Sequence, residues 1–187
     1  MREIIAARRR NLDQAWIWSA SRAVAGSAAA LSEFAAAGTV ACYLALPAEV
    51  QTEPLISLCR QAGRNVCVPA LDPQTGRYSF ARLRTDEKLV VGEDRTEQPC
   101  TPCWTDPREI DLMIVPGIAF DAAGGRLGRG GGCYDALMAA FRGPRIGLAF
   151  ECQMLERVPR EAHDETVNII VTEERILKIQ PDGGNKQ

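Results

Sequence analysis

Residues 124–132 place six glycines around two arginines, Arg126 and Arg129. This combination is suited to holding phosphate. Glycine lets backbone N–H groups approach a ligand closely and adopt positive φ. Consecutive N–H groups form a concave anion site, and arginine adds a planar, permanent charge. The apolar run 134–140 predicts a helix opening from the loop, and a helix N-terminus also favours anions. The Gly-x-x-x-x-Gly-Lys-Ser/Thr string is absent, so this is not a P-loop. Read from Gly128, a Gly-x-Gly-x-x-Gly pattern would put its third glycine on Cys133, which excludes the dinucleotide fingerprint. RNA-binding Arg-Gly-Gly segments are disordered and usually repeat, whereas this is a single copy between two apolar runs. The plain alternative is a flexible connection with no ligand.

Other side chains offer chemistry with a structural reading beside it. Asp135 falls in the first turn of the predicted helix, where a carboxylate stabilises the helix end or serves a cation. Asp164 reads as a turn residue or a second metal carboxylate. Glu49 follows a predicted strand and reads as a helix-start carboxylate or a ligand contact. Arg2 and the Arg8-Arg9-Arg10 run form a solvated basic face or a nucleotide contact. His163 is the only histidine and reads as structural. Cys100 and Cys103 have CxxC spacing, but zinc needs more ligands, and a redox pair usually opens a helix. The remaining cysteines are scattered, and their odd total of seven argues against a disulfide framework.

These residues need elements to position them. The spacing predicts helices over 2–12 and 14–37, with Gly38 as a C-cap, and a buried strand over 39–46. Pro54 opens a helix whose apolar face is Leu55, Ile56, Leu58, Cys59 and Ala62, ended by Gly63. Strands are predicted at 66–69, 78–83, 112–115, 146–150 and 167–171, the last closing the fold. Short helices are predicted at 133–142 and 152–156. Residues 85–108 read as one long surface loop, and the tail 181–187 as disordered. Strands alternating with helices imply a mostly parallel sheet covered on both faces. Ligands of such sheets bind at the carboxyl ends of the strands, so 44–49 and 116–135 are expected to share one cleft. At 187 residues the chain is expected to form one domain over 1–180. A net charge of −2 gives no general attraction to nucleic acid or membrane. With no signal peptide or spanning segment evident, a cytoplasmic monomer is expected.

The strings Val115-Pro116-Gly117-Ile118-Ala119-Phe120-Asp121, Gly125-Arg126-Leu127-Gly128-Arg129-Gly130-Gly131-Gly132 and Tyr134-Asp135 resemble the signature of the 5-formyltetrahydrofolate cyclo-ligases, also called methenyltetrahydrofolate synthetases. Leu44-Ala45-Leu46-Pro47-Ala48-Glu49 resembles that family's strand and folate-contacting glutamate. Val158-Pro159-Arg160-Glu161-Ala162-His163-Asp164 resembles its C-terminal Pro…His-Asp segment, and Ile169-Ile170-Val171-Thr172 its closing strand. The likeness runs to about Leu177.

This resemblance implies a three-layer α/β/α fold. It implies ATP-dependent conversion of 5-formyltetrahydrofolate to 5,10-methenyltetrahydrofolate, with ADP and phosphate as products. The formyl oxygen takes the γ-phosphoryl group, the anilino nitrogen attacks the activated carbon, and phosphate leaves. Such chemistry needs positioning and charge neutralisation rather than a protein nucleophile. The resemblance implies ATP contacts from Arg2, Arg126, Leu127, Gly128, Arg129, Gly130, Gly131, Gly132, Cys133 and Tyr134, with Arg126 and Arg129 acting on the transferring group. It implies pterin contacts from Leu44, Glu49, Cys133 and Tyr134, and Mg2+ at Asp135 and Asp164. The chain departs from the family's pattern in several places: Cys133 replaces an aromatic residue, Gly131 a lysine and Asn168 an aspartate, and the region around Asp94 lacks the aromatic residue expected before Pro99. Two other readings are an ATP-dependent enzyme of the same fold with another small substrate, and a non-catalytic nucleotide-binding paralogue.

Overall fold

The computed structural model describes residues 2–92, 95–161 and 164–180. Helices α1 (Arg2–Arg10), α2 (Gln14–Ala29) and α3 (Ser32–Ala36) precede β1 (Thr39–Ala41). Then follow α4 (Glu53–Gln61), β2 (Asn65–Asp72), β3 (Arg77–Arg82), β4 (Leu89–Val91), β5 (Glu97–Pro99), β6 (Trp104–Thr105) and β7 (Leu112–Val115). The second half holds β8 (Ala119–Asp121), β9 (Arg126–Leu127), α5 (Cys133–Ala140), β10 (Arg145–Leu148), β11 (Met154–Leu155), β12 (Ile169–Val171) and β13 (Ile176–Lys178).

Eight strands form one sheet in the order β13-β12-β10-β7-β1-β2-β3-β6. The central pairs β12–β10, β10–β7, β7–β1 and β1–β2 are parallel. Both edges are antiparallel, through β12–β13, β2–β3 and β3–β6. The central strands are short apolar runs because both their faces are covered. Successive side chains point to opposite faces. Val40, Val66, Val68, Leu112, Ile114, Ile146, Leu148, Ile169 and Val171 pack with α2, α3 and α4 on one side. Ala41, Cys67, Met113, Val115 and Ile170 pack with Leu137, Met138 and Phe141 of the α5 region on the other. The three-layer α/β/α arrangement therefore follows from period-two apolar strands flanked by amphipathic helices.

Several boundaries differ from the sequence expectations. The span 14–37 is two helices, because Leu31 is extended (φ −71°, ψ 141°), buried, and breaks the run. Helix α3 ends at Ala36, with Ala37 extended as its cap, and Gly38 instead donates its N–H to Asp111 Oδ2 at 2.9 Å. Regular pairing of the first strand stops at Ala41 rather than 46, freeing residues 42–49 to build a loop. The stretch 85–108 carries the β4–β5 hairpin, β6 and a 3-10 turn at Pro107–Glu109. Residues 152–156 give a 3-10 turn at Glu151–Gln153 followed by β11, not a helix. Ile169–Val171 is not the closing strand, since β13 pairs on its outer side.

A second, three-stranded sheet, β11-β8-β9, builds the site. It splits the Gly-rich stretch in two. Residues 119–127 are a β-hairpin, and only 128–132 form an open loop. Ile5 of α1 packs with Ala119, Leu127 and Val158, seating the first helix on this small sheet.

Candidate active site

The carboxyl ends of β7, β1 and β2 lie on the same edge of the sheet, because these strands are parallel. That edge carries a cleft of about 850 Å³ whose walls include Tyr43, Leu44, Glu49, Arg126, residues 128–132, Cys133 and Tyr134. A second cavity of about 560 Å³ adjoins it, with Glu3, Leu127, Pro159, Arg160, Glu161 and Asp164 in its walls. The two share Arg126, Gly128, Gly130, Gly132 and Asp135. The Gly-rich loop is thus the partition between two spaces, one largely apolar and one lined by charge.

Gly132 caps α5 in the left-handed conformation (φ 65°), which a side chain would strain. Its geometry turns the loop into the helix, so Cys133, Tyr134 and Asp135 form the first turn beneath the loop. Positions 126 and 129 look alike in sequence but differ in space. The Arg126 side chain is only 4% exposed, and its Nη2 lies 2.7 Å from Asp135 Oδ1. Its guanidinium sits 5.7 Å from the centre of the Tyr134 ring. A Cβ on Gly128 would come within 2.8 Å of Arg126 Nη1, so glycine there makes room for the buried guanidinium. Its Nε is buried with no partner among the described residues. Arg129 is exposed on the loop.

Glu49 is half-buried, and its Oε2 accepts the Leu46 N–H at 3.1 Å. Burial pushes its carboxyl above the ordinary range, opposed by that N–H and by the charges of Arg9 and Arg129. Of the two flanking phenols, Tyr43 is buried and Tyr134 half-buried. Burial raises Tyr43 and Tyr134 well above the usual tyrosine value, with the Glu49 charge adding to it. Tyr43 is fixed by its hydroxyl donating to Val50 O at 2.8 Å. The Thr52 hydroxyl donates to Tyr43 O at 2.6 Å. The Glu49 loop is therefore a rigid ledge.

Asp164 Oδ2 accepts the Glu161 N–H at 2.7 Å, which orients its carboxylate on the smaller cavity shared with Asp135. Among the described residues no group of three or more His, Cys, Asp or Glu side chains could hold a metal ion. The side chain of Arg2 and all of His163 and 181–187 lie outside the described residues.

Sequence reasoning gave no role to Asp121, which is 2% exposed. Its Oδ1 accepts N–H groups from Ala123 (3.0 Å) and Gly125 (2.8 Å), and its Oδ2 one from Val158 (2.8 Å). One carboxylate thus closes the hairpin turn and ties it to the segment leading to Asp164. An aspartate before Ala-Ala-Gly-Gly was the available signal, since Asp often bonds backbone N–H groups two residues on. Gln153 was also missed; its amide donates to Gly117 O and Ile118 O at 2.8 and 3.0 Å. Asn168, one of the departures, has a structural role, its Oδ1 accepting the Arg145 N–H between β10 and β12.

Residues 1–173 match the model of the 5-formyltetrahydrofolate cyclo-ligase family. The 5-formyltetrahydrofolate cyclo-ligase of Escherichia coli K12 is 32% identical over 150 residues, covering 75% of this chain and 80% of that protein. The Haemophilus influenzae enzyme of the same name is 31% identical over 162 residues, covering 83% and 87%. The NMR structure of Aquifex aeolicus 5,10-methenyltetrahydrofolate synthetase superposes with a TM-score of 0.85 at 29% identity, covering 100% of this chain and 94% of that one. The signature loop, the sheet that presents it and these relatives agree: the chain belongs to the 5-formyltetrahydrofolate cyclo-ligase family.

Proposed function

We propose that this chain cyclises 5-formyltetrahydrofolate to 5,10-methenyltetrahydrofolate at the cost of one ATP, releasing ADP and phosphate. The observation that carries this reading is the pair of adjoining cavities meeting at Arg126, Gly128, Gly130, Gly132 and Asp135. The reaction needs two ligands whose reacting atoms meet, and the loop is where the two spaces meet. Family membership favours this reading over the same fold with another substrate or a non-catalytic paralogue.

The formyl oxygen attacks the γ-phosphorus and ADP leaves. The anilino nitrogen then attacks the formyl carbon and loses its proton, and phosphate departs with the former formyl oxygen. The protein's part is alignment and charge. Backbone N–H groups of 128–132 would face phosphate oxygens. Arg129, exposed and permanently charged, would follow the transferring group. Arg126 holds Asp135 in place and supplies positive charge beneath the loop. Glu49 would accept N–H bonds from the pterin, with Leu44 and Tyr134 as walls. Cys133 lacks an aromatic ring's stacking, worth about 1 kcal/mol, so folate affinity should be correspondingly weaker.

Asp135 and Asp164 are hard oxygen donors on one cavity wall, a set that fits Mg2+ completed by phosphate oxygens and water. When bound there, Mg2+ would neutralise phosphate charge. The test mixes protein, 5-formyltetrahydrofolate, ATP and magnesium, and follows the near-ultraviolet absorbance of the methenyl product. Product that requires ATP is expected. Folded, ATP-binding protein that makes none would overturn the reading.

A further inference from the structure

The larger cleft is longer than the loop and Glu49 account for. Its far wall is built by the β2–β3 turn, where Gly76, Arg77 and Tyr78 line it, together with Thr96 from the β4–β5 connection and Ala140 at the end of α5. The hairpin is anchored there, because Gln98 Oε1 accepts the Leu71 N–H of β2 at 2.9 Å. Strand β3 stands three places from β7 in the sheet, about 14 Å at the usual strand spacing. Helix α5 spans the same gap, running for eight residues from the loop to Ala140, about 12 Å of rise.

Among the described residues three arginines line this cleft. Arg126 already has a carboxylate partner in Asp135. Arg129 lies on the loop, close enough to Glu49 for its charge to act on that carboxyl. Arg77 stands on the opposite wall. It is exposed, and none of the described carboxylates pairs with its guanidinium. Among the described residues no other cation lines that end. A guanidinium that is always charged, with its donors unspent, selects a carboxylate-bearing ligand.

Resting on the proposed function, the substrate is a ring system at one end, an aminobenzoyl spacer, and a glutamate with two carboxylates at the other. With the formyl group held at the loop and the ring on Glu49, the spacer runs toward the β2–β3 turn. We infer that Arg77 binds the glutamyl carboxylates of the folate, so that the β2–β3 turn, with Thr96 beside it, forms the subsite reading the substrate's acidic tail.

The test compares 5-formyltetrahydrofolate with 5-formyltetrahydropteroate, the same molecule without glutamate, on wild type, Arg77→Gln and Arg77→Lys. Arg77→Gln should raise KM for the glutamyl substrate about tenfold, the loss of one charge-assisted contact. It should leave kcat, KM for ATP, KM for the pteroate and the unfolding midpoint unchanged. Arg77→Lys should recover most of the glutamyl affinity. Equal responses of both compounds to Arg77→Gln, or no response, would overturn the assignment. A wild type that cyclises neither compound would overturn the function itself, and is seen before any variant is made.

Discussion

Arg126 and Arg129 stand three positions apart in the chain but do not share one role. A short Gly-rich string gives both the same appearance, and burial, a tertiary property, separates them. Arg126 is paired and 4% exposed, against a partner that is 25% exposed. Replacing it by alanine should therefore do two things. It leaves Asp135 without its cation and Tyr134 without its neighbour, costing about 2 kcal/mol, at the low end for breaking a buried pair since Asp135 is partly solvated. It should also lower turnover about a thousandfold, as loss of a phosphoryl-transfer arginine does. Urea midpoints and single-turnover rates measure the two; unchanged turnover would remove Arg126 from the mechanism. Glu49 allows a pH argument. Its carboxyl value is raised by burial, so the stabilising contribution is present below the ordinary glutamate value and lost as pH rises through the raised one. Glu49→Gln should thus raise Tm at pH 7, and the gain should vanish at acidic pH. The same change should raise the folate KM, because an amide oxygen accepts less than a carboxylate. An unchanged folate KM would sink the pterin assignment. The candidate residues Glu49, Asp135 and Asp164 stood out in sequence by type and place. Asp121 carried a turn signature but no sign of its tie to Val158, and Arg77 had none, because a distant cleft wall has no local signature.

At the level of elements, the hairpin β8–β9 and the open loop 128–132 give different tolerances to the same substitution. Gly124 has φ +79°, and a Cβ there would meet Val167 O at 2.5 Å. Gly124→Ala should cost about 2 kcal/mol or more, from left-handed strain plus the clash with backbone. Gly131 meets nothing within 4 Å and has no positive φ, so Gly131→Ala should stay within about 0.5 kcal/mol. Paired denaturation curves check this, and equal losses would contradict the division of the stretch into hairpin and loop. That division was illegible beforehand. Glycines read as loop, yet Arg126 and Leu127 pair with Phe120 and Ala119. The break at Leu31 was hidden for a related reason. An alanine-rich run has high helix propensity throughout, and the turn is imposed by burying Leu31 and Phe34.

For the whole molecule, the central parallel strands were readable because short buried apolar runs flanked by helical patterns have few other uses. The antiparallel edges were less so. Strand β6 is two residues long, and β13 exposes Ile176. The cysteines report on the assembled core. Cys42, Cys59 and Cys67 are buried and Cys100 and Cys103 exposed, and burial pushes the Cys42 thiol up to about 12. Alkylation of the native protein should modify Cys100 and Cys103 first and the buried three only on unfolding, as read by mass spectrometry. Early modification of Cys42 would contradict the packing of β1 under α2 and α4. The central claim is that the formyl oxygen accepts the phosphoryl group where the two cavities meet. Its most direct test uses 5-formyltetrahydrofolate carrying 18O in the formyl group, with unlabelled ATP and water. The account predicts that the label leaves in inorganic phosphate, one atom for each methenyl product formed. Phosphate carrying only unlabelled oxygen would contradict it.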